Sequence, residues 1–401
     1  MKKKYHKAIY YGSTQGFIFR CLFVAVILQI VGMSLFVVLP NIESFYSFFS
    51  YQLGVIIGVG LSSLMLGFVS GGSRRYIQYV SINEKKILTI CFFLSVPLIP
   101  DALGTLVYMF EYSDIRKFLL ENQDAKIISP KITMFFGVGL FITVSYYLTF
   151  VTNKSKFGIL LALSFVFLKS LLFMSRAEFV ILAIFYMLNR QKLFSFRMVG
   201  AGFLIVIFLA FFTVYAQGRT GDQGFDALTR VLAYYSAYFG YPLYLTSNIG
   251  EVFGEYSVLY SLIGYPWDVV ESFLSSSGVI ASHLDHIATP TWVGFDVFGR
   301  EHYWGNVLYP QYGFIAGKLG DWGVVLYYAF IAMMLSLLGE LYKPSTFFWR
   351  VLVFIWIFNT ARSAALGVPG TWFQIFFSAI LAYYLVKKMI EKVYYTSRIE
   401  S

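Results

Sequence analysis

Phe157–Asn189 reads FGILLALSFVFLKSLLFMSRAEFVILAIFYMLN, and whether it is one helix or two decides the fold. At 1.5 Å per residue a single helix would run roughly 50 Å, well beyond a hydrocarbon core of about 30 Å. A single helix also reverses every later span. It would put the acid-rich stretch Gln217–Asp321 with the basic clusters and the Lys387/Lys388 tail opposite them, against the bias of Lys and Arg toward the cytoplasmic side. Two helices turning at Ser175-Arg176-Ala177-Glu178 avoid both faults. The second arm is short, so the turn is expected below the outer membrane surface.

The composition fits a chain made mostly of spans. It is 58% hydrophobic, 20% aromatic and 13% charged, where soluble domains carry about 25% charged residues. Mean hydropathy is +0.68. The net charge of +10 could suggest nucleic acid as a partner. Most Lys and Arg, however, sit in short runs beside apolar segments, which is a membrane-orientation signature and argues for no nucleic acid. Cys21 and Cys91 both lie inside apolar stretches and suggest neither a disulfide framework nor a Cys-based metal site. The basic start (Lys2, Lys3, Lys4, Lys7) leads into an apolar run over 17–39. That run is too long for a signal-peptide core and lacks a small-x-small cleavage site, so it is expected to stay as a first span.

Spans are predicted near 17–39, 46–69, 87–110, 132–151, 157–174, 178–189, 198–216, 322–341, 347–366 and 371–387. The basic clusters Lys2–Lys7, Arg74/Arg75/Lys85/Lys86, Lys154/Lys156, Arg190/Lys192/Arg197, Lys343/Arg350 and Lys387/Lys388/Lys392 then share one side, the cytoplasm. The expected fold is an all-α polytopic integral membrane protein with about ten transmembrane helices. It divides into N-terminal transmembrane helices (1–216), one large extracytoplasmic loop (217–321) and C-terminal transmembrane helices with a cytoplasmic tail (322–401). Pro97 and Pro100 should kink the third span before Asp101. Gly54, Gly58 and Gly60 are spaced for close helix contact. The apolar 256–264, followed by Gly-Tyr-Pro-Trp, reads as a surface-lying or re-entrant piece.

The loop 217–321 gathers the chemistry-bearing residues. It holds His283, His286 and His302, three of the four histidines, and ten of the 21 carboxylates against four Lys/Arg. The informative charges are cations on the wrong side for the orientation rule: Lys169 and Arg176 seven residues apart, Arg219 and Arg230, Arg300 before the eighth span, and Arg362 at the end of the ninth. Charge at membrane depth costs a few kcal/mol, roughly, and guanidinium forks bind phosphate oxygens bidentately. These six are therefore candidate ligands for an anionic lipid headgroup, a diphosphate above all. Local pairing, Arg176 with Glu178 or Asp101 and Arg219 with Asp222, is the plainer account. His283-Leu-Asp-His286 is too sparse for a metal site and reads as solvated loop. His302, in Arg300-Glu-His-Tyr-Trp-Gly-Asn306, is a candidate proton acceptor. A Walker A motif, HExxH and Asp-x-Asp are all missing, which removes ATP hydrolysis and zinc proteolysis.

The stretch His302-x-x-x-Asn306-x-x-Tyr309…Gly313…Gly317…Gly320-Asp321-Trp322-Gly323, running into an apolar span, resembles the C-terminal signature of the Wzy-type O-antigen and capsular polysaccharide polymerases and the related O-antigen ligases. The Ser175-Arg176 turn, Arg219 after the following span and the single large loop are similar as well. The ligases carry a second His two places before the Asn. Trp304 stands there in this chain, which leans toward the polymerases.

The resemblance implies a GT-C-like glycosyltransferase of the bacterial cytoplasmic (inner) membrane, with no cofactor and no metal. It would join undecaprenyl-diphosphate-linked oligosaccharide repeats, and a flippase and a chain-length regulator would be its protein partners. His302 would act with Asn306 or Glu301 in catalysis, and Arg176, Arg219, Lys169, Arg230, Arg300 and Arg362 would bind the diphosphate. An O-antigen-ligase-like transferase, a lipid-linked oligosaccharide flippase and a noncatalytic scaffold stay open on the residues alone.

Overall fold

Helices begin where a cap or proline allows and stop where one intervenes. The computed structural model describes residues 13–34, 42–69, 84–111, 130–151, 154–173, 177–189, 239–246, 249, 257–277, 291–297, 300–307, 309–341, 346–363 and 365–399, with backbone alone over the strands within 291–307. Ser13 caps the first helix, accepting from the Gly16 amide at 3.1 Å. Helix α1 is Thr14–Met33 and α2 is Ile42–Val69. Next come α3 Glu84–Ser95, a 3₁₀ turn Val96–Leu98 and α4 Ile99–Glu111, so the expected proline kink falls at Pro97. Then follow α5 Pro130–Phe150, α6 Lys156–Phe173 and α7 Ala177–Asn189.

Short helices α8 Tyr241–Leu245, α9 Val258–Ile263 and α10 Tyr265–Ser276 precede an antiparallel hairpin of β1 Thr291–Val297 and β2 Arg300–Val307. The long α11 is Gln311–Leu341. Helix α12, Thr346–Val353, runs through a π-helical stretch Phe354–Asn359 into α13 Thr360–Arg362. After a 3₁₀ turn at Ala365–Gly367, α14 spans Pro369–Ile399. Among the described residues five stretches are long and apolar enough to cross a membrane, namely 14–33, 42–67, 84–108, 132–150 and 311–341. The chain is a helical membrane protein.

Helices α2 and α11 pack in parallel along their length. Ser47 donates to the Asp321 carboxylate at 2.9 Å, Gly54 faces Val325, Gly58 faces Ala329, and Ser62 donates to Ser336 at 2.7 Å. The partner numbers rise together, which sets the direction. A Cβ at Gly54 would stand 2.6 Å from the Val325 carbonyl oxygen, and one at Gly58 would overlap that of Ala329. Small residues are what permit this approach where lipid gives no hydrophobic drive between helices. Gly60 departs from expectation: nothing lies within 4 Å of its added Cβ, so it is not part of the seam.

The opening stretch is two helices. Glu84, at the start of α3, accepts from Ser155 beside the start of α6 and from Tyr147 near the end of α5 (2.9 and 2.6 Å). Asn189, at the end of α7, accepts from Arg350 at 2.7 Å, while Phe185 of α7 and Tyr146 and Phe150 of α5 all pack on Phe347. The start of α6 and the end of α7 therefore lie at the same end of α5. At the far end Lys169 and Glu178 pair at 3.6 Å. Nine residues along one straight helix would separate these two by about 13 Å of axial rise. The 198–216 segment expected to form another span lies outside the described residues.

Arg350 was expected to belong, with Lys343, to a basic cluster that helps set orientation. It is 1% exposed, over the Phe17 ring at 4.8 Å and donating to Asn189. A guanidinium stacked on an aromatic face and hydrogen-bonded to an amide oxygen can be held in a core.

Replacing Gly58 with Leu should force α2 and α11 apart, because the clash is with backbone. Overpacking of this kind costs about 1–3 kcal/mol. A Gly60→Leu variant should keep the wild-type midpoint in detergent thermal unfolding, while Gly58→Leu should show a clear drop. Equal midpoints would mean that the seam is not this close.

Candidate functional site

One end of the bundle collects the end of α6 and the start of α7, the end of α1, the start of α2 and the α13/α14 connection. Lys169 of α6 and Gly370 of α14 both lie against α5, at Gly137 and at Met134 and Val138, and four further contacts mark this end. Gln29 of α1 donates to the Ala361 carbonyl at 2.6 Å, and Gly32 meets Gly240 backbone to backbone. Gly264 rests on the backbone of Leu366 and Gly367, and Asp321 accepts from Ser47. The expected large loop is thus anchored to this end at Gly240, Gly264 and the start of α11.

The sequence candidates fall into three groups. Arg176, Arg219 and Arg230 lie outside the described residues, as do His283 and His286. Lys169 and Arg362 are described in full. Lys169 pairs with Glu178 and stands over the Phe141 ring at 4.6 Å, both partners largely buried (11% and 15% exposed). Its methylenes run over Gly137. Its charge is therefore matched inside the protein, and at a phosphate it would bring a carboxylate with it. Arg362 ends α13 with its guanidinium 5.8 Å from the Phe239 ring centroid. Asp101, also buried, accepts from Thr133 at 3.4 Å. Glu178, which the sequence offered as a partner for Arg176, is in the described structure the partner of Lys169.

The third group is on β2: Arg300, Glu301, His302 and Asn306, described by backbone alone. The Cα register pairs His302 with Asp296 and Asn306 with Trp292, with a bulge after Asp296. Alternation puts positions 302 and 306 on one face of the strand and 301 on the other. Directly opposed positions have Cβ atoms about 5 Å apart. The register therefore places an acidic residue and an imidazole residue as cross-strand neighbours. The sequence held a signal for this pair, two seven- or eight-residue runs rich in aromatic and β-branched residues around a Phe-Gly turn, Phe298-Gly299.

Several other residues in and beside the His/Asn signature have structural work. Gly320 adopts φ 66°, ψ −179°, a conformation that only glycine takes readily, and it splits α11 into two arms. Asp321 opens the second arm, where a carboxylate suits the helix N-terminus, and is fastened to α2 through Ser47. A Cβ at Gly323 would collide with the Leu319 side chain. Tyr312 stacks on Tyr51 with centroids 5.7 Å apart, and Gly313 lets Ile249 and Thr246 approach. Expectation put the span start at 322. The helix in fact begins at Gln311, and the expected start coincides with its break.

Among the described residues no group of three or more His, Cys, Asp or Glu gathers as a metal site would require.

Breaking a buried pair by removing one partner typically costs about 3–5 kcal/mol, whereas replacing both is far milder. Lys169→Met should therefore destabilise the protein more than the double variant Lys169→Met/Glu178→Gln, measured by unfolding in detergent. A double variant as unstable as the single would show that the pair is not coupled. Comparison with known proteins adds no relative: no protein-family model, no curated protein and no solved structure matches the chain.

Proposed function

We propose that the chain is a polysaccharide polymerase working on the outer face of a bacterial cytoplasmic membrane, with undecaprenyl-diphosphate-linked oligosaccharide repeats as donor and acceptor. About ten spans, cytoplasmic termini and an outer loop over 217–321 belong to the same reading. One observation carries it. The facing ends of α6 and α7 on either side of Arg176, the end of α13 with Arg362, and the first part of α11, which starts four residues after β2, belong to one end of the bundle. In this reading a lipid headgroup sits at that end.

In this reading a hydroxyl of the acceptor's non-reducing sugar attacks the anomeric carbon of the growing chain. The bond from that carbon to the diphosphate oxygen breaks, and the lipid diphosphate leaves with the electron pair. His302 takes the hydroxyl proton. Asn306, on the same strand face, orients the sugar or the imidazole better than Glu301 on the other face. Arg176 and Arg219, with Arg230, Arg300 and Arg362, stabilise the charge that grows on the leaving group. A lipid diphosphate is already an activated donor, so the reading calls for no nucleotide.

Positioned acid–base groups contribute about 10²–10⁴-fold. His302→Ala should therefore lower turnover of purified protein on lipid-linked repeats by about that factor, without weakening donor binding. His302→Asn should fail too, because an amide does not take up a proton at neutral pH. Near-normal turnover in both would move the base elsewhere, with Asp285 and Asp296 next in line.

Arg176→Ala and Arg219→Ala should each abolish long-chain product while the protein still reaches the membrane, and lysine should rescue only in part. Unchanged chain length in both alanine variants removes the phosphate clamp. Deleting the gene and sizing the surface glycan separates the classes: single repeats for a polymerase, lipid-linked long chains for a ligase, no external glycan for a flippase. Reporters fused within 222–300 should read outside, and those after Arg75, Lys192 and Lys392 inside. The opposite result overturns the sidedness.

A further inference from the structure

Helices α9 and α10 are inverted for a surface loop. On α10 the outward arc carries Val269, Val270 and Phe273, the last 68% exposed, accompanied only by Ser272, Ser276 and Ser277. The two carboxylates, Asp268 and Glu271, fall on the half-buried side, and Trp267 donates its indole N–H to Glu271 at 2.6 Å. On α9 the outward residues are Val258, Leu259 and Ile263, while Tyr260 and Ser261 are buried. A water-facing helix puts its charges out and its apolar stripe in. Here the order is reversed.

The backbone of this segment is also finished in the way lipid requires, since a polar group in hydrocarbon must find its partner within the protein. Three of the last four carbonyls of α9 are taken. Ser261 O accepts from Gln311 at 2.6 Å, Leu262 O from the Tyr327 hydroxyl at 2.8 Å and Tyr260 O from Gly264 N at 2.8 Å. At the end of α10, Phe273 O receives the Ser276 and Ser277 hydroxyls and the Ser277 amide. Gly264, at φ 74°, turns the chain between the two helices and lies directly on Leu366. Tyr327 sits six residues past the start of the second arm of α11, about 9 Å along its axis, so the α9 end is held beside a spanning helix. The outward apolar surface continues onto that helix at Trp322 (76% exposed) and Leu326.

We infer that α9–α10 lies within one membrane leaflet at the site end of the bundle, with lipid acyl chains as the occupant of its outward face. At about 9 and 18 Å neither helix can cross, so the segment is an embedded shelf and not an additional span. The inference needs the membrane but not the glycan chemistry proposed above.

Single nitroxide labels at Val270, Phe273 and Trp322, in a Cys21→Ala/Cys91→Ala background in phosphatidylethanolamine/phosphatidylglycerol vesicles, test it by collision with oxygen and with a water-soluble nickel chelate. Phe273 and Val270 should share the oxygen preference of Trp322. Access of nickel to Phe273 would place the face in water. Exclusion of both probes would mean that protein, such as a second copy of the chain, covers it. Either result overturns the inference. Unlabelled wild-type protein photolysed with a carbene-generating lipid offers an independent reading: adducts should map to residues 258–276, and their absence there alongside adducts on α11 would also overturn it.

Discussion

A backbone carbonyl released inside hydrocarbon has no water to turn to, and this chain releases many. Its helices are interrupted at Val96–Leu98, at Gly320, through the π-helical stretch Phe354–Asn359, and at Ser363. Around the π-helical stretch and Ser363, side chains from distant helices and from neighbouring turns close the gaps. The Tyr51 hydroxyl donates to Ile357 O, Thr360 to Trp356 O, Gln29 to Ala361 O and Trp372 to Leu366 O, while Ser363 serves Asn359 O through both its amide and its hydroxyl. Each of these bonds is needed because the alternative is an unpaired polar group costing several kcal/mol, roughly. Much of the polar inventory of the bundle is therefore committed to holding non-ideal backbone in place.

Helix positions were legible in the sequence because lipid imposes a length and a composition on anything that crosses it. The α6/α7 turn was legible for a different reason: the charge asymmetry elsewhere tolerated only two arms. What escaped were features that depend on a partner far away in sequence. Gly60 was grouped with Gly54 and Gly58, but nothing lies within 4 Å of its added Cβ. Arg350 was counted in a basic orientation cluster because the Phe17 ring and Asn189 that accommodate it lie on other helices. The π-helical stretch leaves no mark in composition. The β1/β2 hairpin had the alternation of strands, but it sat in a stretch read as a loop because no membrane constraint applied to it.

The candidate site was legible as a set of residue types and much less as roles. Cations near an outer helix end suit a diphosphate and suit an internal ion pair equally well, and for Lys169 the ion pair with Glu178 is what the fold contains. The glycines and the aspartate of the His/Asn signature turn out to shape and fasten α11. His302 and Asn306 of that signature, described by backbone alone, stand on one face of β2 and opposite Asp296 and Trp292.

The parallel seam between α2 and α11 has a consequence for how the chain is made. Its hydrogen-bonded partners, Ser47 with Asp321 and Ser62 with Ser336, are 274 residues apart. At roughly 5–20 residues per second of synthesis, α2 enters the bilayer roughly 15–55 s before the helix that will cover its glycine face. During that interval a narrow, close-packing groove stands open to lipid and to any other helix with small residues on one side. Early folding of the N-terminal helices on their own therefore leaves a deliberate vacancy, and the order of assembly is dictated by translation as much as by affinity. The chain from Gln311 onward does not add to a finished bundle but completes one that waits for it.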